Sequence, residues 1–168
     1  MIETRTQGMV YLHSAPAALL PHVEWALGRL LGGPVGLQWT PQPLKPTQFR
    51  AETAWSSDPS FGAVLSSELL GWGSICFEIV QDEGDGQPGW RWAYTPTLGL
   101  FQSQIDAFGN VLVSEHRLMA IAENPGSSAS DLTAQLRLAI GAPWDVELEQ
   151  LRSASEDRSV IWLKTAAN

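Results

Sequence analysis

The chain has 168 residues, 44% of them hydrophobic and eight of them tryptophan, which suits one substantial core and argues against a disordered chain. Ten Lys and Arg stand against 18 Asp and Glu, a formal charge of -8. Without a local basic patch, that balance excludes nonspecific nucleic-acid binding and attraction to an anionic membrane, since both need cationic side chains.

In chain order, the alternation predicts a first strand over residues 8–13. Met9, Tyr11 and His13 take one face, and Val10 and Leu12 the other. Ser14 and Pro16 suit a turn into a helix. That helix carries Leu19, Leu20, Val23, Leu27 and Leu30 on one stripe. Pro21 marks its start or kinks its first turn, and Gly32 and Gly33 end it. PVGLQWT reads as a second strand, and PQPLKP as a proline-rich connection. In QFRAETAWSS, Phe49, Ala51, Thr53 and Trp55 alternate with Arg50, Glu52 and Ala54, the pattern of a third strand. A helix over about residues 61–70 places Phe61, Val64, Leu65 and Leu69 on its apolar side, and SICFEIVQ is the fourth strand.

The order β-α-β-β-α-β favours an α+β chain with a ferredoxin-like core over about residues 8–83, both helices covering one face of an antiparallel sheet. The first and third strands are then central, and Tyr11 and His13 lie on the other face.

After the polar turn DEGDGQPG, WRWAYTP alternates Trp90, Trp92 and Tyr94 with Arg91 and Ala93. These three aromatics read as core or as a groove wall. GLFQSQIDAFGNVLVSEHRL adds a strand and a turn at residues 108–110. Helices follow over about 114–121 and 131–140, the latter capped by Ser128 or Ser130. PWDVELEQL forms a short helix with Trp144, Leu148 and Leu151 along one side, and RSVIWLK a final strand. There is no internal repeat and no convincing linker. The extension, about residues 84–163, is therefore expected to lengthen the sheet or cover its open face within one domain spanning residues 1–168.

The lone Cys76, in GSICFEIV, reads as a buried thiol and excludes an internal disulfide and a cysteine-rich zinc site. No signal-like or membrane-length apolar run occurs, which points to the cytoplasm. His13 ends a central strand beside a turn, where it either meets a ligand or hydrogen-bonds beneath the extension. With Arg50 and Tyr94 it can supply the polar contacts of a cleft between core and extension. Arg50 and Glu52 share a strand face, as cleft lining or as an ordinary ion pair. His22, Trp25 and Arg29 lie opposite the apolar stripe of the first helix, and an exposed indole there makes a good partner anchor. Internal packing is the alternative.

Glu115, His116 and Arg117 read as capping and surface charge. Asp145 and Glu149 share a helix side that Glu147 does not, with no histidine at a supporting spacing. No phosphate loop, dinucleotide fingerprint, zinc-protease pair or serine-hydrolase elbow occurs. No catalytic residue, metal ligand or cofactor is assigned.

RTQGMVYLHSAPAALLPHVEWAL, GWRWAYTPTLGLFQSQIDAFGNVLVSEHRL and GAPWDVELEQLR together resemble an uncharacterised actinobacterial protein family defined as a domain of unknown function. The resemblance spans nearly the whole chain. It implies a bacterial cytoplasmic protein with one integrated domain, and it carries over no functional residue. The leading expectation is a noncatalytic protein-interaction or regulatory binding module using His22, Trp25 and Arg29. The alternative is an enzyme or small-molecule-binding protein using the cleft of His13, Arg50 and Tyr94.

Overall fold

A computed structural model describes the main chain of residues 5–84 and 86–165, and the side chains as far as Ala154 except that of Asp85. Asp85, within the expected glycine-rich turn, lies outside the described residues. Among the described residues the chain is a mixed α+β structure with one seven-stranded antiparallel sheet and five α-helices. The strands are β1 (Thr6–Pro16), β2 (Thr40–Pro41), β3 (Gln48–Ser57), β4 (Cys76–Gln81), β5 (Gly89–Thr95), β6 (Gly99–Ile105) and β7 (Val111–Leu112). Their spatial order is β2-β3-β1-β4-β5-β6-β7. The helices are α1 (Leu20–Leu31), α2 (Phe61–Leu70), α3 (Glu115–Glu123), α4 (Ala129–Ala139) and α5 (Ala142–Thr165).

Period-two alternation sorts the sheet into two faces. Val10, Leu12, Phe77, Ile79 and Trp92 meet Val23 and Leu27 of α1 and Phe61, Leu65 and Leu69 of α2. The helical spacings of 23/27 and 61/65/69 put each helix's contributors on one stripe. Burying such a side chain stabilises the fold by roughly 1.5–3 kcal/mol. The opposite face packs Cys76, Ala93 and Phe101 against Trp144, Leu148 and Leu151 of α5. Gly141 lets α5 start there. It has φ 79°, and a Cβ at this position would run into the Phe101 ring. The extension thus both lengthens the sheet, through β5 on β4, and covers part of its second face.

Four expectations need correction. The segment 34–39 is not a strand, because Gly33, Pro34, Gly36 and Pro41 interrupt the run and only Thr40–Pro41 pairs with β3. Leu37 is still buried, and Trp39 packs on the core while its Nε1 donates to Glu24 Oε1 at 2.7 Å. Val64 is exposed, since α2 buries the 61/65/69 stripe with Gly62 and Ser66. RSVIWLK is not a strand. Its main chain continues α5, which runs 24 residues instead of forming a short helix. A short apolar run has the same signature in a strand and in a helix segment, so periodicity could not separate them. The aromatics of β5 do belong to the core: Trp92 is buried, and Trp90 and Tyr94 pack against the same cluster.

Candidate functional site

α5 leaves part of the second sheet face open over β3, β1 and β4. A cleft of about 340 Å³ lies there, lined by Tyr11, His13, Arg50, Glu52, Glu78 and Arg152 among others. That volume suits a small ligand.

Its geometry begins with a defect in β1. Leu12 pairs with Ala51 of β3 and with Phe77 of β4, but the next registered partners are Ala15↔Phe49 and Ser14↔Cys76. His13 is therefore the one residue of β1 with no register partner on either side. Such a bulge re-aims a side chain. Here it turns the His13 ring parallel to Tyr11, with centroids 6.1 Å apart, and brings Nε2 within 3.4 Å of Glu78 Oε2. The buried amide of Gln42 holds the bulge, donating from Nε2 to the His13 carbonyl at 2.7 Å and to that of Leu151 on α5 at 3.4 Å.

Glu78 is 8% exposed and organises the charges. Arg91 Nε donates to its Oε1 at 3.1 Å, and Arg152 Nη2 to its Oε2 at 2.7 Å. Arg91 Nη2 also donates to Asp145 Oδ1 at 2.6 Å, and Arg152 Nη1 to Glu149 Oε2 at 2.7 Å. Burial opposes the charge on Glu78. The His13 hydrogen bond and the Arg91 and Arg152 guanidiniums outweigh it and hold the carboxyl at about 2. An ionised carboxylate only accepts, so the His13 proton in this contact sits on Nε2. Burial, and then the carboxylates of Glu52, Glu78 and Asp82, raise the Tyr11 phenol, which stays protonated and able to donate.

Two groups in the cleft make no side-chain hydrogen bond among the described residues. Arg50 has only a long ion pair with Glu52, at 3.9 Å, and no hydrogen bond is formed by the Tyr11 hydroxyl.

His13 and Arg50 both line this cleft, and Tyr94 does not join them. It pairs with Phe77 on the opposite sheet face, stacks on that ring, and donates its hydroxyl to the Gly73 carbonyl at 3.0 Å. Glu78, Arg91, Arg152 and Gln42 were missed. A lone glutamate inside the apolar strand CFEIVQ was the available signal, because a buried charge demands partners. Asp145 and Glu149 share a helix side as the spacing implied, and each holds one arginine of the network. Ser114, rather than Glu115, caps α3, accepting from the Arg117 amide at 3.3 Å.

On α1, Trp25 is 67% exposed, with the Arg29 guanidinium 5.5 Å from its ring centroid. Arg29 Nη2 donates to Glu68 Oε2 at 2.9 Å. Trp25 and Arg29 line a groove of about 450 Å³ with Pro21, Pro34 and Val35, whereas the exposed His22 does not.

Among the described residues, no group of three or more His, Cys, Asp or Glu is placed to hold a metal ion, and no helix is long and apolar enough to cross a membrane. One protein-family model, DUF3145, described as a protein of unknown function, matches residues 9–165. No curated protein and no solved structure matches the chain.

Proposed function

Since the chain belongs to this family of unknown function, we propose from geometry that it is a small-molecule-binding protein whose cleft takes an anionic group. The observation that carries this reading is the placement of Arg50, whose guanidinium makes only a long ion pair with Glu52 at 3.9 Å, beside the Tyr11 phenol in a cleft where Glu78 and Arg152 already pair with each other. A guanidinium with a nearby hydroxyl donor is a natural seat for a carboxylate or a phosphate. His13, held by Glu78 through Nε2, lines the same cleft. Glu78 acts as the positioning residue for His13 and Arg152.

The strand order β2-β3-β1-β4, antiparallel throughout, supports treating the first half as a ferredoxin-like core. The continuous sheet supports one integrated domain. A single buried cysteine fits a cytoplasmic setting.

The test is thermal stabilisation by inorganic phosphate, acetate, succinate and a nucleoside monophosphate, since a ligand bound only to the folded state raises the midpoint. At least one is expected to stabilise the wild type. Arg50→Gln abolishes the effect, and Tyr11→Phe weakens binding about threefold to tenfold. Stabilisation that survives Arg50→Gln, or none with any of the four, rejects the anion seat.

A second reading rests on the α1 groove. An exposed tryptophan whose neighbour is pinned by an ion pair suits a protein partner. Affinity capture with wild type and Trp25→Ala tests it, and a partner retained by the variant removes Trp25 as its anchor.

A further inference from the structure

The two edges of the sheet differ in chemistry. β2 closes one side with Pro41, and Pro43 and Pro46 follow it. Proline has no N–H to give to a further strand. The other side ends on β7, which pairs only with Gln104 and Ile105 of β6. Residues 100–103 of β6 therefore have no strand on their outer side among the described residues. β6 reads GLFQSQI, without a charge or a proline. Exposed edges in soluble proteins ordinarily carry such guards, lysine above all. Leu100 and Leu112 are exposed beside this edge, and the helices that follow leave Leu118, Met119 and Leu136 in solvent. No residue of α3 is buried.

We propose that a second copy of the chain pairs here, β6 against β6, antiparallel across a twofold axis normal to the sheet. Centring the axis near Phe101 matches the open stretch. It sets Leu100 of one copy opposite Gln102 of the other, on the face where both are exposed.

Three observations fit a second copy as the pairing strand. A strand that meets itself would set any charge near its like, and β6 carries none. The proline-bearing β2 edge blocks head-to-tail pairing of β2 with β6, so the remaining extension is isologous and closes at two chains. The segment after β7, residues 115–140, holds three acidic groups (Glu115, Glu123, Asp131) and two basic ones (Arg117, Arg137). That is a formal -1 in a chain of -8, so this segment adds little repulsion between two copies.

Sedimentation of the full chain over a concentration series is expected to show a monomer–dimer equilibrium. The double variant Leu100→Lys/Gln102→Lys places like charges opposite one another twice and weakens dimerisation about tenfold or more. The double variant Leu100→Glu/Gln102→Glu does the same. Mixing the two restores a mixed dimer, while circular dichroism of each variant alone shows the fold intact. A wild type that stays monomeric at every concentration overturns the proposal, whatever the variants do. A dimer that is indifferent to both charge variants, or a mixture that fails to reassociate, places the contact elsewhere and overturns it equally.

Discussion

Glu78 fixes the second sheet face at the level of single atoms. Its two oxygens hold Arg91, Arg152 and His13, which come from two other strands and from α5. Its folded carboxyl lies at about 2, below the ordinary glutamate value of 4.5. The stabilisation this supplies is complete above about pH 4.5 and lost as pH falls toward 2, an effect on the order of 3 kcal/mol. Denaturant midpoints measured from pH 6 down to pH 2.5 are expected to drop across that window, and in Glu78→Gln much of the slope disappears. The substitution leaves Arg91 paired with Asp145 and Arg152 with Glu149 but removes their charged partner Glu78, at a cost of about 1.5–3 kcal/mol at neutral pH. A Glu78→Gln chain as stable as wild type at pH 7 contradicts the network. The residue was visible in the sequence as one charge in an apolar strand. Its partners were not, because Arg91 and Arg152 lie 13 and 74 residues away.

At the scale of elements, β1 and α5 decide the cleft. The helical stripe 144/148/151 was readable from spacing alone, and it packs on Cys76, Ala93 and Phe101. The β1 bulge was not readable. Inward and outward residues alternate equally well in LHSAP with or without an extra residue, and only the pairing partners on both sides reveal the slip. Removing the α5 anchor tests the packing. Leu148→Ala is expected to cost about 2–5 kcal/mol in urea unfolding, as for a fully buried leucine. Val64→Ala, on the solvent side of α2, should stay within about 0.5 kcal/mol. Equal costs at the two positions would mean that α5 does not seal the second face.

For the whole molecule, the sheet is the shared wall of both cores. Phe77 and Ile79 face α1 and α2, while Cys76 in the same strand faces α5. A defect on one side therefore propagates to the other through β4 and β5. Leu65→Ala and Leu148→Ala, on opposite faces, are each expected to lower one common transition. Tryptophan fluorescence and far-ultraviolet circular dichroism should then report the same midpoint in each variant. Two separated midpoints would show the halves unfolding independently. The sheet edges act at this scale too. Three prolines at or just beyond β2 and none in β6 were plain in the sequence, but they acquire meaning only once those strands are known to be nearest the outside.

Taken alone, the sequence determined what depends on neighbours along the chain: most of the strands, the stripes of α1 and α5, the fourfold spacing of Asp145 and Glu149, and the exposed side of α1. Periodicity carries that information because one helical turn or one pleat spans only a few residues. Tertiary structure decided which elements touch across long separations. It joined His13, Glu78, Arg91 and Arg152 into one cluster and sent Tyr94 to the far face. It also turned RSVIWLK into helix and, among the described residues, left residues 100–103 of β6 without a strand on their outer side. Strand register and the burial of charge are settled by partners distant in sequence, and no local pattern records which partner that will be.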